Sequence, residues 1–192
     1  MFRNTRSKTA FGWALAVLRA WIGAAAAALL TGSAFAQGID YSHFQRSTLD
    51  ALNANLAASV EKKDREIPHK VGDNFFDAGL APWVVEATYA GAARRMNDDE
   101  KAVVHNSFKA FEQEPLAALY EQSTLFRVNG KDYWLPVQSA VLPYFAKELK
   151  AGDKIDLYLL QSGGVLQKNG WEWLFLVVDF KKTQGNAAGG NP

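Results

Sequence analysis

Two Asn-Gly pairs, Asn129-Gly130 and Asn169-Gly170, each separate runs of strand-forming residues within the stretch Leu125 to Phe180. Asn-Gly tolerates positive φ at both central positions, as a type I′ hairpin turn requires. Thr124, Phe126 and Val128 alternate with Leu125 and Arg127 before the first pair, and Tyr133, Leu135 and Val137 alternate with Trp134 and Pro136 after it. Leu142, Phe145 and Leu149 then switch to helical spacing until Lys150-Ala151-Gly152-Asp153. Ile155, Leu157 and Leu159 resume the period of two, and Gly163-Gly164 marks a bulge or bend before the second pair. Leu174 to Val178 is apolar on both faces, which predicts a strand covered on both sides. The order is strand, strand, helix, strand, strand. Pro136 cannot donate to a ladder, which places its strand at an edge or ends it there.

The residues before this stretch read as helices. Leu49, Leu52, Leu56 and Val60 recur at spacings of three and four, with Asp40 or Ser42 available as a cap. Ile67 to Ala81, with Pro68, Gly72, Asp73 and Gly79, predicts a loop that tucks Phe75-Phe76 inward. Pro82 suits the first turn of a second helix, whose stripe is Val85, Tyr89, Ala92 and Met96. Asn97 or Asp98 caps a third helix, with Val104, Phe108 and Phe111 on its buried side. Pro115 to Gln122 adds a short fourth. The expectation is one α+β domain over 37–183. In it, an N-terminal layer of three to four helices (37–122) packs on a small, bent antiparallel sheet or partly open barrel (123–183), and 184–192 forms a disordered tail.

Residues 1–36 have the anatomy of a secretory signal peptide. Their charged residues, Arg3, Arg6, Lys8 and Arg19, are all positive; Ala20 to Leu30 is apolar, and Ala34-Phe35-Ala36 is a small-x-small site. Cleavage after Ala36 and a periplasmic or secreted location are expected, with no stable membrane span afterwards. Removing those four cations lowers Lys plus Arg from 21 to 17 against 20 acids, so the exported chain carries about −3. Such a charge argues against a nucleic-acid partner. The chain has no Cys, which excludes disulfides, thiolate catalysis and an acylated N-terminal cysteine.

The templates for chemistry are absent from the sequence. His43, His69 and His105 have no partner at the spacing of a zinc motif, and neither phosphate-loop nor Gly-x-Ser-x-Gly patterns occur. No metal site and no cofactor are expected. The acids Asp98, Asp99 and Glu100 have a sufficient reason in helix capping. Asp73 and Asp77 flank Asn74-Phe75-Phe76 and lack the alternating acids of a calcium loop. The aromatic residues carry more. Trp171, Trp173 and Phe175 share one face of the last strand, with Trp134 expected across the sheet. Such a row is either a ligand platform or core, and large aromatics are more often core.

Three function classes follow. An exported non-enzymatic binding or accessory domain, taking a periplasmic protein, peptide or glycan at Trp134, Trp171, Trp173, Asp73 and Asp77, leads because every catalytic template fails. A periplasmic hydrolase would need His69, His105 and loop acids to converge from separate segments. A structural subunit of an envelope complex would use an unpaired edge strand.

Overall fold

The computed structural model describes residues 41–63, 68–76 and 81–183. The expected signal segment (1–36), the expected tail (184–192) and Asp77 lie outside the described residues. The described residues from His43 onward form one compact unit.

Ten principal elements make it up: β1 (Gln45–Ser47), α1 (Leu49–Lys63), β2 (Asn74–Phe76), β3 (Pro82–Arg95), α2 (Asp98–Ala110), β4 (Tyr120–Val128), β5 (Lys131–Gln138), α3 (Leu142–Glu148), β6 (Lys154–Gln167) and β7 (Gly170–Lys182). A 3₁₀ turn, Glu114–Leu119, precedes β4. The seven strands form one mixed sheet in the order β1-β3-β4-β5-β7-β6-β2, and β3 also pairs with β6. That extra pairing links β3, β4, β5, β7 and β6 into a closed circuit. All its ladders are antiparallel except β5 with β7, which run parallel and meet in one pairing, Val137 with Val177. Pro136 stands next to that single pairing, and its missing N–H suits a strand whose second edge is scarcely used.

This architecture corrects the expected one. The helices are not an N-terminal layer: they lie between strands along the chain, and the sheet is mixed rather than antiparallel. The largest departure is β3, a strand where Val85, Tyr89, Ala92 and Met96 predict a helix. Trp83, Val85, Ala87 and Tyr89, which alternate along the chain, are the residues that pack on the core. A helix would also have had to accommodate Gly91, whose φ of +80° marks a break in register between Tyr89 and Ala93. Val84-Val85, Thr88 and Tyr89 are β-branched or aromatic, and with β4 on one edge and β6 on the other the strand wins. Two further strands, β1 and β2, arise in segments expected to be helix start and loop. β1 runs parallel to β3 at Gln45–Ser47, and β2 pairs with β6 at Asn74–Phe76. Arg46 ties β1 to β6 through a two-point ion pair with Asp156, at 2.9 and 2.7 Å.

Other elements follow their sequence signals. Helix α1 starts later than expected, at Leu49, because Thr48 caps it: its Oγ1 accepts from the Ala51 N–H at 3.2 Å. Leu49, Leu52 and Leu56 are at most 2% exposed, each worth about 1.5–3 kcal/mol of burial. They join Val85, Phe126, Leu135, Phe145, Leu157, Leu159 and Phe175 in the main core. Asn97 and Glu100 form a capping box on α2, each side chain accepting from the other's backbone N–H at 2.8 Å. The first hairpin is as expected, with Asn129 at φ +51° and Gly130 at +78°. The second is shifted by one: Gln167 pairs with Gly170, so the loop is Lys168-Asn169 and Gly170 opens β7 at φ +117°.

Candidate functional site

The β6–β7 hairpin carries the site. Its register slips between Gln161 and Gly163, so Ser162 is the extra residue of a bulge on β6. Ser162 is buried and its hydroxyl lies 2.7 Å from that of Ser107 on α2. Ser107 already donates to the Val103 carbonyl at 2.8 Å, so Ser162 is the donor of the pair. The bulge is thereby pinned beneath α2. Beyond it Gly164 stands opposite Trp173, and Leu166 opposite Trp171.

Gly164 is needed there by close approach. A Cβ at this position would lie 2.5 Å from Cε3 and 2.8 Å from Cζ3 of Trp173. The Trp173 indole therefore occupies the space that a side chain at position 164 would take. Trp171 stacks on it, ring centroids 5.4 Å apart and planes 20° from parallel. Phe75 of β2 meets both indoles edge-on, at 6.0 Å from Trp171 and 5.8 Å from Trp173. His69 closes the group against Trp171 at 5.3 Å, nearly perpendicular. Phe75 is buried and the two indoles are half-buried. Both packing modes are the offset and edge-to-face arrangements that the ring quadrupole favours.

The aromatic row divides along the strand. Phe175 is 1% exposed and belongs to the core, Trp173 packs against that core from its rim, and Trp171 lies further out beside the turn. Leu174 and Leu176, on the opposite face, are buried too, as the two-sided apolar pattern requires.

Trp134 does not join the other tryptophans. Its position on β5 alternates with Tyr133 and Leu135, which face the core, so it stands on the outer face, with the Arg94 guanidinium over its ring at 4.7 Å. Arg94 also makes a two-point pair with Glu100, at 2.8 and 2.7 Å. The buried Glu100 carboxylate further accepts from Asn97 N–H and from Ser123 Oγ at 3.3 Å. Every bond of this group is internal, so Glu100 is a structural anchor. On the same side, partial burial raises the Glu172 carboxyl above its ordinary range, with the nearby Glu100 charge adding to the effect.

The remaining candidates separate. Asp73 serves its own turn: its Oδ2 accepts from Lys70 N–H at 2.7 Å. Asp77, the other loop acid, is outside the described residues. His105 pairs with Glu114 at 3.2 Å on the surface, and His43 precedes β1. Among the described residues no three His, Cys, Asp or Glu side chains come together as a metal site would need. Sequence reading missed the partners of the indole pair, His69, Phe75 and Gly164. A Gly opposite a Trp on paired strands was the available signal, but the register needed to see it was lacking.

No family model, curated protein or solved structure matches this chain.

Proposed function

We propose that this chain is an exported, non-enzymatic binding or accessory domain that receives an apolar or planar group of a peptide or glycan partner against the rim of the Trp171–Trp173 stack. The observation that supports this reading is the stack itself. Two indoles are held parallel at the end of a hairpin, braced by Gly164 below and Phe75 at the side, while both stay partly open to solvent. A rigid, half-exposed aromatic surface binds flat or apolar groups with little loss of side-chain freedom. The signal anatomy of residues 1–36 supports export.

A nuclear magnetic resonance titration of the chain from Gln37 onward, with the indole N–H signals assigned by single Trp→Phe variants, tests the reading. The probes are muropeptide fragments and short apolar peptides. The expected result is that the Trp171 and Trp173 signals move while that of Trp134 stays in place. Shifts confined to Trp134, or none with either probe class, would refute it.

A further inference from the structure

Gln161 and Trp83 bring polar groups to the inner face of the sheet and leave them unbonded. Gln161 of β6 is 7% exposed, and its side-chain amide makes no hydrogen bond among the described residues. Trp83 of β3 is half-buried, with its ring Nε1 covered and likewise unbonded. The ladders bring the two side chains together. Leu159 stands opposite both Trp83 and Val177, and Gln161 stands opposite Phe175. Gln161 N–H donates to the Ala81 carbonyl at 3.0 Å, which continues the β3 register past Pro82. Gln161 is thereby the diagonal neighbour of Trp83 on one side and of Trp173 on the other. Positions so related lie about 7–8 Å apart, within reach of long and aromatic side chains. Leu159, Phe175 and Val177 are core residues, with Trp83 and Trp173 packed against them, so the group shares the inner face.

Other buried polar side chains are satisfied. Ser107, Ser123, Ser162 and Glu100 each have a hydrogen-bond partner. Thr124 Oγ1 is unbonded too, but it stands opposite Ala93 and Leu135, which offer no polar side chain. Asn53 Oδ1, also unbonded, belongs to α1. An unbonded amide or indole N–H in an apolar setting is unfavourable, and its persistence calls for a partner. Trp83 and Gln161 both offer an N–H. The residues paired with them carry no charge, so a carboxylate or phosphate would be buried there without a counter-ion. A neutral oxygen suits the pair.

We infer that Gln161 and Trp83 take a neutral carbonyl of the bound partner, its oxygen accepting from Trp83 Nε1–H and Gln161 Nε2–H, while the apolar group beside it lies against Trp173. A carbonyl oxygen has two lone pairs and can accept from both donors at once. The acetamido group of an N-acetylated glycan and the amide of a peptide share this chemistry. Trp83 and Trp173 are both half-buried, so the pair is reached from the rim that carries the indole stack. The inference rests on the proposed binding at that rim and names the polar group read there.

Calorimetric titration and indole N–H resonances of the chain from Gln37 onward test it. The glycan probe is chitotriose, with cellotriose as the control that lacks acetamido groups; the peptide probe is N-acetylphenylalanine methylamide, with 3-phenylpropanol as its control. One probe is expected to bind at least about tenfold more tightly than its control, the worth of a hydrogen bond, and to move the Trp83 N–H signal downfield. Which probe does so assigns the carbonyl to a glycan or to a peptide. Gln161→Leu should lower that affinity about tenfold while melting no lower than wild type, since it removes an unbonded amide from an apolar face. Trp83→Phe should weaken the same probe without changing the control. Equal affinity for each probe and its control, or no binding by either probe, overturns the inference. Unchanged affinity in Gln161→Leu also overturns it, leaving internal water as the partner of the amide, and a clearly lower melting temperature would show that the amide is bonded within the fold. Movement of the Trp171 and Trp173 signals with that of Trp83 fixed keeps the earlier reading and loses this one.

Discussion

Gly164→Ala is the perturbation that reports most directly on how the tryptophan stack is held. Its φ lies outside the left-handed region, so alanine is acceptable to the backbone. In open space the change would stabilise by about 0.4–1 kcal/mol, through lost freedom of the unfolded chain. The space is not open. The new Cβ would be 2.5 and 2.8 Å from two ring carbons of Trp173 and 3.1 Å from the Glu172 carbonyl oxygen. Moving an indole wedged between the β6 backbone, Trp171 and Phe75 costs about 1–3 kcal/mol as overpacking. The net is a loss of about 1–2 kcal/mol, or roughly 2–8 °C in melting temperature for a chain of this size. Urea denaturation of wild type, Gly164→Ala, Trp173→Ala and the double variant isolates the contact. With the ring removed, Gly164→Ala should become neutral or slightly stabilising, a coupling of about 1–3 kcal/mol. Equal effects of Gly164→Ala in both backgrounds, within about 0.5 kcal/mol, would refute the claim that Trp173 lies on this glycine.

Three further outcomes are expected. Phe175→Ala should destabilise by about 3–5 kcal/mol and Trp171→Ala by clearly less, since the first is core and the second is rim; thermal melts showing equal losses would reject that division of the aromatic row. Glu100→Ala should cost about 3–5 kcal/mol, because it leaves Arg94 without its two-point partner and α2 without its capping box; chemical denaturation within about 0.5 kcal/mol of wild type would show that the network is ornamental. The Asp50 carboxyl is held below its ordinary range by the hydrogen bond from Lys131 at 2.8 Å, assisted by Asn129. A carboxyl lowered in the folded state contributes fully above its unfolded value near about pH 4, and the contribution disappears as pH falls through the folded value. Asp50→Asn should therefore be less stable than wild type at neutral pH and converge with it in acid. Parallel urea-midpoint profiles across that range would contradict the assignment.

What the sequence determined by itself is the set of features encoded locally. The Asn129-Gly130 turn, the α2 capping box, the leucine stripe of α1 and the two-sided apolar run of β7 each depend on residues within a few positions of one another. Their physical causes, positive φ, orphan backbone donors and side-chain period, operate before any tertiary contact forms. The indole pair as a notable feature was legible in the same way, because alternate residues of a strand share a face. Tertiary structure decided the rest. Val85, Tyr89, Ala92 and Met96 fit a helical stripe as well as Trp83, Val85, Ala87 and Tyr89 fit a strand, and only the two neighbours β4 and β6 resolve that tie. β1 and β2 have three residues each and become strands solely by pairing with β3 and β6. The separation of Trp134 from Trp171, and the burial of Trp173 on Gly164, depend on register across strands far apart in the chain. Hydrogen-bond pairing and close packing are non-local, so one sequence pattern remains compatible with several partners until the partners are in place.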